Sequence, residues 1–518
     1  HHLFVTFASN THWTTMADSV SDQMRATIAA FGEAVRSQNV AQISQFYENG
    51  GLKIPEKTKQ TEWPSVETVS SIVSDKIFIL LYKEMYYRHI LANPKAHQTL
   101  TLEQRQASFQ TYIELFNFLL KRDDAPGLEL PPGWVWDIVD EFIYQFQEFY
   151  QFRGNKLRAA KTEDVSALRN SSAVWNVQTV LQFLHAFRDK SEILATLASE
   201  AETEESAAPA TTTIFATLPL YKLFGTFSLI GLLRVHCLLG DYYSALKSIS
   251  PLQPASKKNP TVVASKITLY YYMGFSYMMM RRYADAIRTF SHILNYLSRS
   301  KMVYSKSYQT DDTNKKNDQM YALLAILITF CPQRLDEHVN SSLREHYSDK
   351  MAQMQRGEMM IVEDLFLYAS PKWVSPISEG EELANATLEM HKLQNKIFFN
   401  EIRQQALLPV IRSYLKLYTT IDLAKLSSLI LSDKTKVDEA TLSKALLCYT
   451  HKTRGLTATS GQPAIEGKLT SFSDVSFQVD NDMIHIFDAK APRRFGEYFT
   501  RKIVKLEDLI DDLTKEQS

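Results

Sequence analysis

The residues of this chain that could do chemistry are few, and each group has a spacing that can be checked against what the chemistry needs. Gly461–Lys468 (GQPAIEGK) has the composition of a phosphate-binding loop. Such a loop needs four residues between its glycines, so that successive amides form an anion nest, and a Ser or Thr after the lysine to hold Mg²⁺. Here the glycines are Gly461 and Gly467, one residue too far apart, and Leu469 follows the lysine. With no strand-to-helix pattern around it, the segment reads as a polar loop. His338 and His346 carry acids beside them, Glu337 and Glu345. Two helical turns put both imidazoles on one side, yet ~12 Å of rise separates them, too far for one metal ion. They read as surface histidines.

Asp137, Asp140 and Glu141 crowd the segment Trp136–Glu148, and converging carboxylates are the material of acid–base catalysis. No His, Lys or Gly-rich turn joins them, so they read as the solvated face of an aromatic helix. Met278–Met280 read as core filler. Cys237, Cys331 and Cys448 lie far apart in apolar helical stretches. That spacing suits neither a disulfide framework nor a metal knuckle, and predicts three buried thiols in a reducing compartment. The expectation is a chain without catalytic, cofactor or metal sites.

Nucleic acid is the remaining chemical option. Lys434, Lys436, Lys444, Lys452, Arg454, Lys468, Lys490, Arg493 and Arg494 could form a basic surface near the C-terminus. Asp433, Asp438 and Glu439 dilute it, and no aromatics are interleaved for base stacking. The formal net charge of −1 supplies no global field for RNA or membrane. A charged solvated face is the plainer reading; Lys490, Arg493 and Arg494 are the cations best placed for an RNA contact.

The elements that must position these residues are mainly helical. The chain has 518 residues, 45% hydrophobic, with only 16 Gly and 17 Pro, enough for several packed units built on a 3.6-residue period. Its longest apolar run, Tyr321–Cys331, is shorter than the ~20 residues that span a bilayer. The chain starts without Met, the start resembles no signal peptide, and residues 1–15 read as an unstructured extension ahead of Met16. The expected protein is cytoplasmic.

Residues 16–198 predict an N-terminal helical domain, in which Ile77–Ile90 is apolar around most of its circumference and should be buried. Residues 199–213 (SEAETEESAAPATTT) predict an acidic flexible linker. Residues 214–400 predict tetratricopeptide-like helical repeats: Tyr242, Ala245, Leu246 and Ile249 recur as Tyr283, Ala286, Ile287 and Phe290, at an offset of 41 read directly from the numbering. In the second copy Gly274, Tyr277, Ala286 and Phe290 give small residues where two helices cross and large ones that fill the gap.

Residues 401–490 predict a winged helix. Helical runs at Ile411–Tyr418 and Ile421–Ile430, the latter started by Thr420 and Asp422, precede a helix capped by Asp438. A polar loop follows, then a hairpin, Val475–Phe487, turning at Asp480–Asp482. Its unpaired edge is a docking strip, with Val475, Phe477, Val479, Met483, Ile484, His485 and Ile486 as candidate partner contacts. Residues 491–518 add a helix whose stripe, Phe495, Phe499, Ile503, Leu506 and Ile510, suits a partner helical bundle. The fold class is therefore mainly α: a helical-repeat solenoid followed by a winged helix with a small β-hairpin wing and a C-terminal helix.

Several long stretches resemble the PCI-domain family of the proteasome lid, the signalosome and eukaryotic initiation factor 3. They are LYKEMYYRHI (81–90), WDIVDEFIYQFQ (136–147), LLGDYYSAL (238–246), YYYMGFSYMMMRRYADAIR (270–288), IRSYLKLYTT (411–420) and DMIHIFDAKAPRRFGEYF (482–499). The resemblance is strongest to the initiation-factor members. It implies a non-catalytic scaffold that binds other factor 3 subunits, with subunits K and E as neighbours through the wing and terminal helix. It also implies a contribution to preinitiation-complex assembly and mRNA recruitment on the small ribosomal subunit. A scaffold of a lid- or signalosome-like assembly and an RNA-binding winged helix stay as alternatives.

Overall fold

The computed structural model describes residues 22–48, 63–92, 101–121, 127–159, 173–202, 213–252, 262–304, 310–375, 383–405, 407–430, 438–459, 463–471, 473, 475–488, 499, 502–503, 505–507 and 510. The helices run α1 (Asp22–Arg36), α2 (Val40–Glu48), α3 (Val66–Ile72), α4 (Lys76–Ala92), α5 (Leu102–Leu120), α6 (Pro132–Ala159), α7 (Val177–Lys190) and α8 (Ile193–Glu202). They continue as α9 (Ile214–Thr217), α10 (Pro219–Leu238), α11 (Tyr242–Ser248), α12 (Val263–Met279), α13 (Tyr283–Tyr304), α14 (Thr310–Phe330), α15 (Glu337–Gln355), α16 (Met359–Ala369), α17 (Leu383–Gln405) and α18 (Leu408–Leu415). The C-terminal part holds β1 (Thr420–Asp422), α19 (Leu423–Ile430), α20 (Glu439–Lys452), β2 (Arg454–Thr457), β3 (Lys468–Ser471), β4 (Val475–Asp480) and β5 (Met483–Asp488). Two compact units result: His1–Tyr272 with Ser300–Lys316 and Pro371–His391, and Met273–Arg299 with Asn317–Ser370 and Lys392–Ser518.

The first unit is an aromatic helical core. Phe116 meets Phe142 edge-on at 4.9 Å between ring centres, and Phe187 stacks on Phe224 at 4.7 Å, geometries that add to area burial. As predicted, α4 is inside: Phe78, Leu81, Tyr82 and Met85 are buried. So is Glu84, which hydrophobic periodicity passes over.

The carboxylates of α6 do not lie on a solvated face. Asp137 accepts from the Tyr47 hydroxyl and sits 3.6 Å from Arg88 Nη1. Asp140 Oδ1 accepts from Arg234 Nη1 at 2.6 Å, and Glu141 Oε1 from Gln145 Nε2 at 3.0 Å. Arg88 also donates to the Tyr47 hydroxyl at 2.9 Å, and the Tyr112 hydroxyl donates to Glu84 at 3.1 Å. The pairing of these acids has a simple cause. Residues of α2, α4, α5 and α10 meet α6 from several sides, so its acids must find partners inside the bundle. Burial pushes the Glu84 carboxyl up from its ordinary value and that of Glu141 up to about 7.

The first residues of the predicted linker are helical. α8 runs to Glu202, so the segment from Ser199 to Glu202 is helical; residues 203–212 lie outside the described residues, as does the proposed extension 1–15.

The repeat is visible in backbone geometry. The amide of Gly240 donates to Cys237 O and that of Asp241 to His236 O; the amides of Arg281 and Arg282 donate to Met278 O and Tyr277 O. The same paired bonds end helices at Gln38–Asn39 and Gly357–Glu358. Each is a left-handed helix stop, with φ of 56° at Gln38, 80° at Gly240, 63° at Arg281 and 88° at Gly357. The close crossing inferred at Gly274 is present: a Cβ there would lie 2.5 Å from the Phe290 ring. Cys237 and Cys331 are buried as expected. Cys448 is only half-buried, because α20 turns it toward the Gln404 carbonyl at 3.9 Å instead of inward.

Candidate partner interface

The winged helix closes around Ile411 and Leu415 of α18, Leu426 and Ile430 of α19, and Leu442 and Leu446 of α20, all buried. Asp438 holds the N-cap position in extended conformation, without a side-chain bond to the helix. Thr420–Asp422, read from sequence as the start of a helix, instead forms β1, and α19 begins at Leu423. The reason is pairing: Ile421 faces Ile484 across the sheet, and the Leu423 amide donates to Asp482 O at 2.9 Å.

The sheet order is β1-β5-β4, antiparallel throughout. The hairpin turns at Asn481 and Asp482, both left-handed at φ 43° and 69°, which matches the right-handed twist of its strands. This order divides the predicted docking strip. Met483, Ile484, His485 and Ile486 lie on the central strand β5, bonded on both sides, so they are not on an edge. Val475, Phe477 and Val479 lie on the outermost strand β4. Burial divides them further: Val475 and Ile484 are buried in the core and Phe477 and Ile486 pack against it, while Met483 is exposed on the opposite face and Val479, paired with Ile484 on the core side, is exposed at the hairpin end. Phe487, at the end of the predicted hairpin, is 54% exposed; the period-2 pattern of β5 places it on the face of Met483.

Of the terminal-helix stripe, Phe499, Ile503, Leu506 and Ile510 are helical and between 54% and 59% exposed. Phe495 lies outside the described residues, with Lys490, Arg493 and Arg494, and so do Lys434 and Lys436. The described part of the basic surface is thin. Lys444, Arg454 and Lys468 are exposed, whereas Lys452 Nζ is held by both oxygens of Glu401 at 2.6 Å.

His338 and His346 are exposed. Among the described residues no group of three His, Cys, Asp or Glu is placed to hold a metal, and no helix is long and apolar enough to cross a membrane. A cavity beside Arg105, Ser108, Gln145 and Glu148 has a volume of about 10 Å³, room for one water and no substrate.

Between α20 and β4 the expected polar loop contains a second sheet, β2 paired antiparallel to β3. Its strands are four residues each, and only the facing Leu456 and Leu469 mark it in sequence. The look-alike phosphate loop joins these strands. In its described part, carbonyls face a side chain: Arg282 Nη1 donates to Ala464 O at 3.0 Å and Ile465 O at 2.7 Å. That polarity suits a cation and rejects phosphate.

The chain matches a family model described as RNA polymerase I-associated factor PAF67 over residues 104–506. It is 45% identical over 504 residues to eukaryotic translation initiation factor 3 subunit L of Nematostella vectensis, covering 96% of this chain and 93% of that protein. It is 44% identical over 478 residues to the Xenopus tropicalis subunit L, covering 90% and 83%. The Homo sapiens subunit L is 43% identical over 480 residues, covering 90% and 82%.

Proposed function

The chain belongs to the family of eukaryotic translation initiation factor 3 subunit L, and from that premise we propose that it works as a non-catalytic scaffold within the factor. It is a translation initiation factor 3 subunit. Its part is to hold other subunits together, with K and E as neighbours, in the cytoplasm, and to support preinitiation-complex assembly and mRNA recruitment on the small ribosomal subunit. The observation that carries this reading is the exposed apolar surface of the C-terminal region. Met483 and Phe487 on the sheet and Ile503 and Leu506 on the terminal helix are each more than 40% exposed. Exposed apolar side chains concentrated in one region mark contact surfaces. Two surfaces follow: the outer edge of β4 with Val479 at its rim, open to strand addition, and the stripe Phe499, Ile503, Leu506 and Ile510, suited to a helical bundle.

The test is mass spectrometry of the tagged chain purified from its native cells, beside a variant with Ile503→Glu and Leu506→Glu. Other factor 3 subunits and the small ribosomal subunit should accompany the parent chain. The variant should lose subunits while melting at the parent's temperature. Purification with lid or signalosome subunits, or with none, overturns the reading.

A further inference from the structure

Arg282 and Asp285 are 3% and 2% exposed at the side chain, among the most enclosed charges of the second unit. They stand where the α12–α13 turn enters α13. Arg282 Nε donates to Asp285 Oδ2 at 2.8 Å, and the guanidinium lies 4.7 Å from the centre of the Tyr277 ring. Its remaining donors reach out of the helix pair. Nη1 bonds Ala464 O and Ile465 O, and Nη2 bonds Glu466 O at 3.2 Å. The Tyr277 hydroxyl adds a second donor to Ala464 O at 2.9 Å. Asp285 takes the Ala458 amide with both oxygens at 3.0 Å, and Arg288 Nη1 donates to Ala458 O at 3.2 Å. One ion pair therefore grips both ends of the loop between β2 and β3.

The loop is built to be gripped. At Gly467 a Cβ would lie 2.6 Å from the Thr457 carbonyl, a backbone atom with no room to yield. That explains the second glycine of GQPAIEGK without any phosphate. The pair is also built to be covered. A buried ion pair costs desolvation that its own attraction does not reliably offset, and a guanidinium has five donors to satisfy. Here loop carbonyls satisfy them. If the loop lifts, water replaces those carbonyls and the pair becomes an ordinary surface pair, so no charge is stranded. Both states are satisfied, which is the condition for a two-state element.

We propose that the β2–β3 ribbon, residues 454–458 and 464–471, forms a latch on the helical repeat, with Arg282 and Asp285 as its catch, and that the latch opens without unfolding the winged helix or the α12–α13 pair. Closed, it fixes the β2–β3 ribbon, with exposed Leu456 and Leu469, against the repeat. The proposal concerns motion within the chain and stands whichever assembly the chain joins.

Hydrogen exchange of the full chain, followed by mass spectrometry, tests it on three proteins: parent, Arg282→Lys and Gly467→Val. Lysine keeps the charge and loses the fork; Gly467→Val retains both Arg282 and Asp285 and pushes the loop off them, its Cβ 2.6 Å from the Thr457 carbonyl and 3.3 Å from Arg282 Nη2. Each variant should raise exchange in 454–471 at least tenfold, with α18–α20 and the β1-β5-β4 sheet unchanged. Exchange in 454–471 at the parent rate in Gly467→Val overturns the proposal. Release of 454–471 only together with the winged-helix core also overturns it, since the loop is then part of one cooperative unit. Should Arg282→Lys fail to fold, Gly467→Val decides alone.

Discussion

Gly240 and Arg281 occupy the same left-handed backbone position, at φ 80° and 63°, in two helix-ending turns with the same hydrogen-bond pattern. Their numbers differ by 41, the offset of the side-chain repeat. At Gly240 an added Cβ would also lie 3.1 Å from the Trp373 ring. Gly240→Ala should therefore cost the left-handed penalty of ~1–2 kcal/mol and lower the chemical-denaturation midpoint. Arg281→Gly should do much less, because relief of the same strain offsets the lost 3.2 Å contact with Glu401. Equal losses at the two positions would contradict the equivalence.

Glu401 joins three elements. It takes Lys452 of α20 and Gln405 of its own helix, and lies against Arg281 of the repeat turn. Lys452 is 11% exposed at the side chain and Glu401 21%, so removing one partner leaves the other poorly solvated. Glu401→Ala should cost about 1–3 kcal/mol. The double variant with Lys452→Met should recover part of that loss, as a double-mutant cycle in urea would report.

The acid cluster of the first unit makes stability depend on pH. Burial holds the Glu141 carboxyl at about 7 in the folded chain, above the ~4.3 of an unfolded glutamate. A raised carboxyl contributes stability that is fully present below the unfolded value and lost as pH rises through the folded one. From pH 6.5 to 8 the unit should lose about 1 kcal/mol. Glu84, raised by burial, acts in the same sense, while Arg88 faces Glu84 and Asp137. His185 and His236, lowered first by burial, act in the opposite sense and below pH 6.5. Glu141→Gln should flatten the midpoint between pH 6.5 and 8; an unchanged slope would remove Glu141 from the account.

Neighbouring residues on β5 should respond very differently. Ile484 is fully buried and Met483 is 41% exposed. Ile484→Ala should cost ~2–5 kcal/mol and Met483→Ala within about 0.5 kcal/mol, read as denaturation midpoints. Met483→Ala should still weaken co-purification of partner subunits if that face is a contact.

What the sequence reveals here follows from what periodicity can carry. Leu442, Leu446 and Ile484 announce their faces because burial at fixed spacing is a local signal. Asp137 and Asp140 look solvated in sequence because their partners Arg88 and Arg234 are remote and local pattern cannot supply them. β1 looks like helix for the same reason: Thr420–Asp422 is a strand only because β5 lies beside it. The β2–β3 ribbon looks like loop since strands this short have almost no periodicity. In the docking strip, alternation separated inward from outward residues, but strand order decides which backbone is an edge, and order is a tertiary property.

The order β1-β5-β4 also sets a timetable. β1 and β5 are separated by about sixty residues, and β5 is the strand both others require. At ~5–20 residues per second of synthesis, β1 leaves the ribosome roughly 3–12 s before its partner exists. During that interval Ile421 and the inner faces of α18–α20 have no sheet to cover them. Newborn chains of this protein therefore pass through a period of exposed apolar surface that any chaperone or assembling neighbour can meet before the module has finished folding.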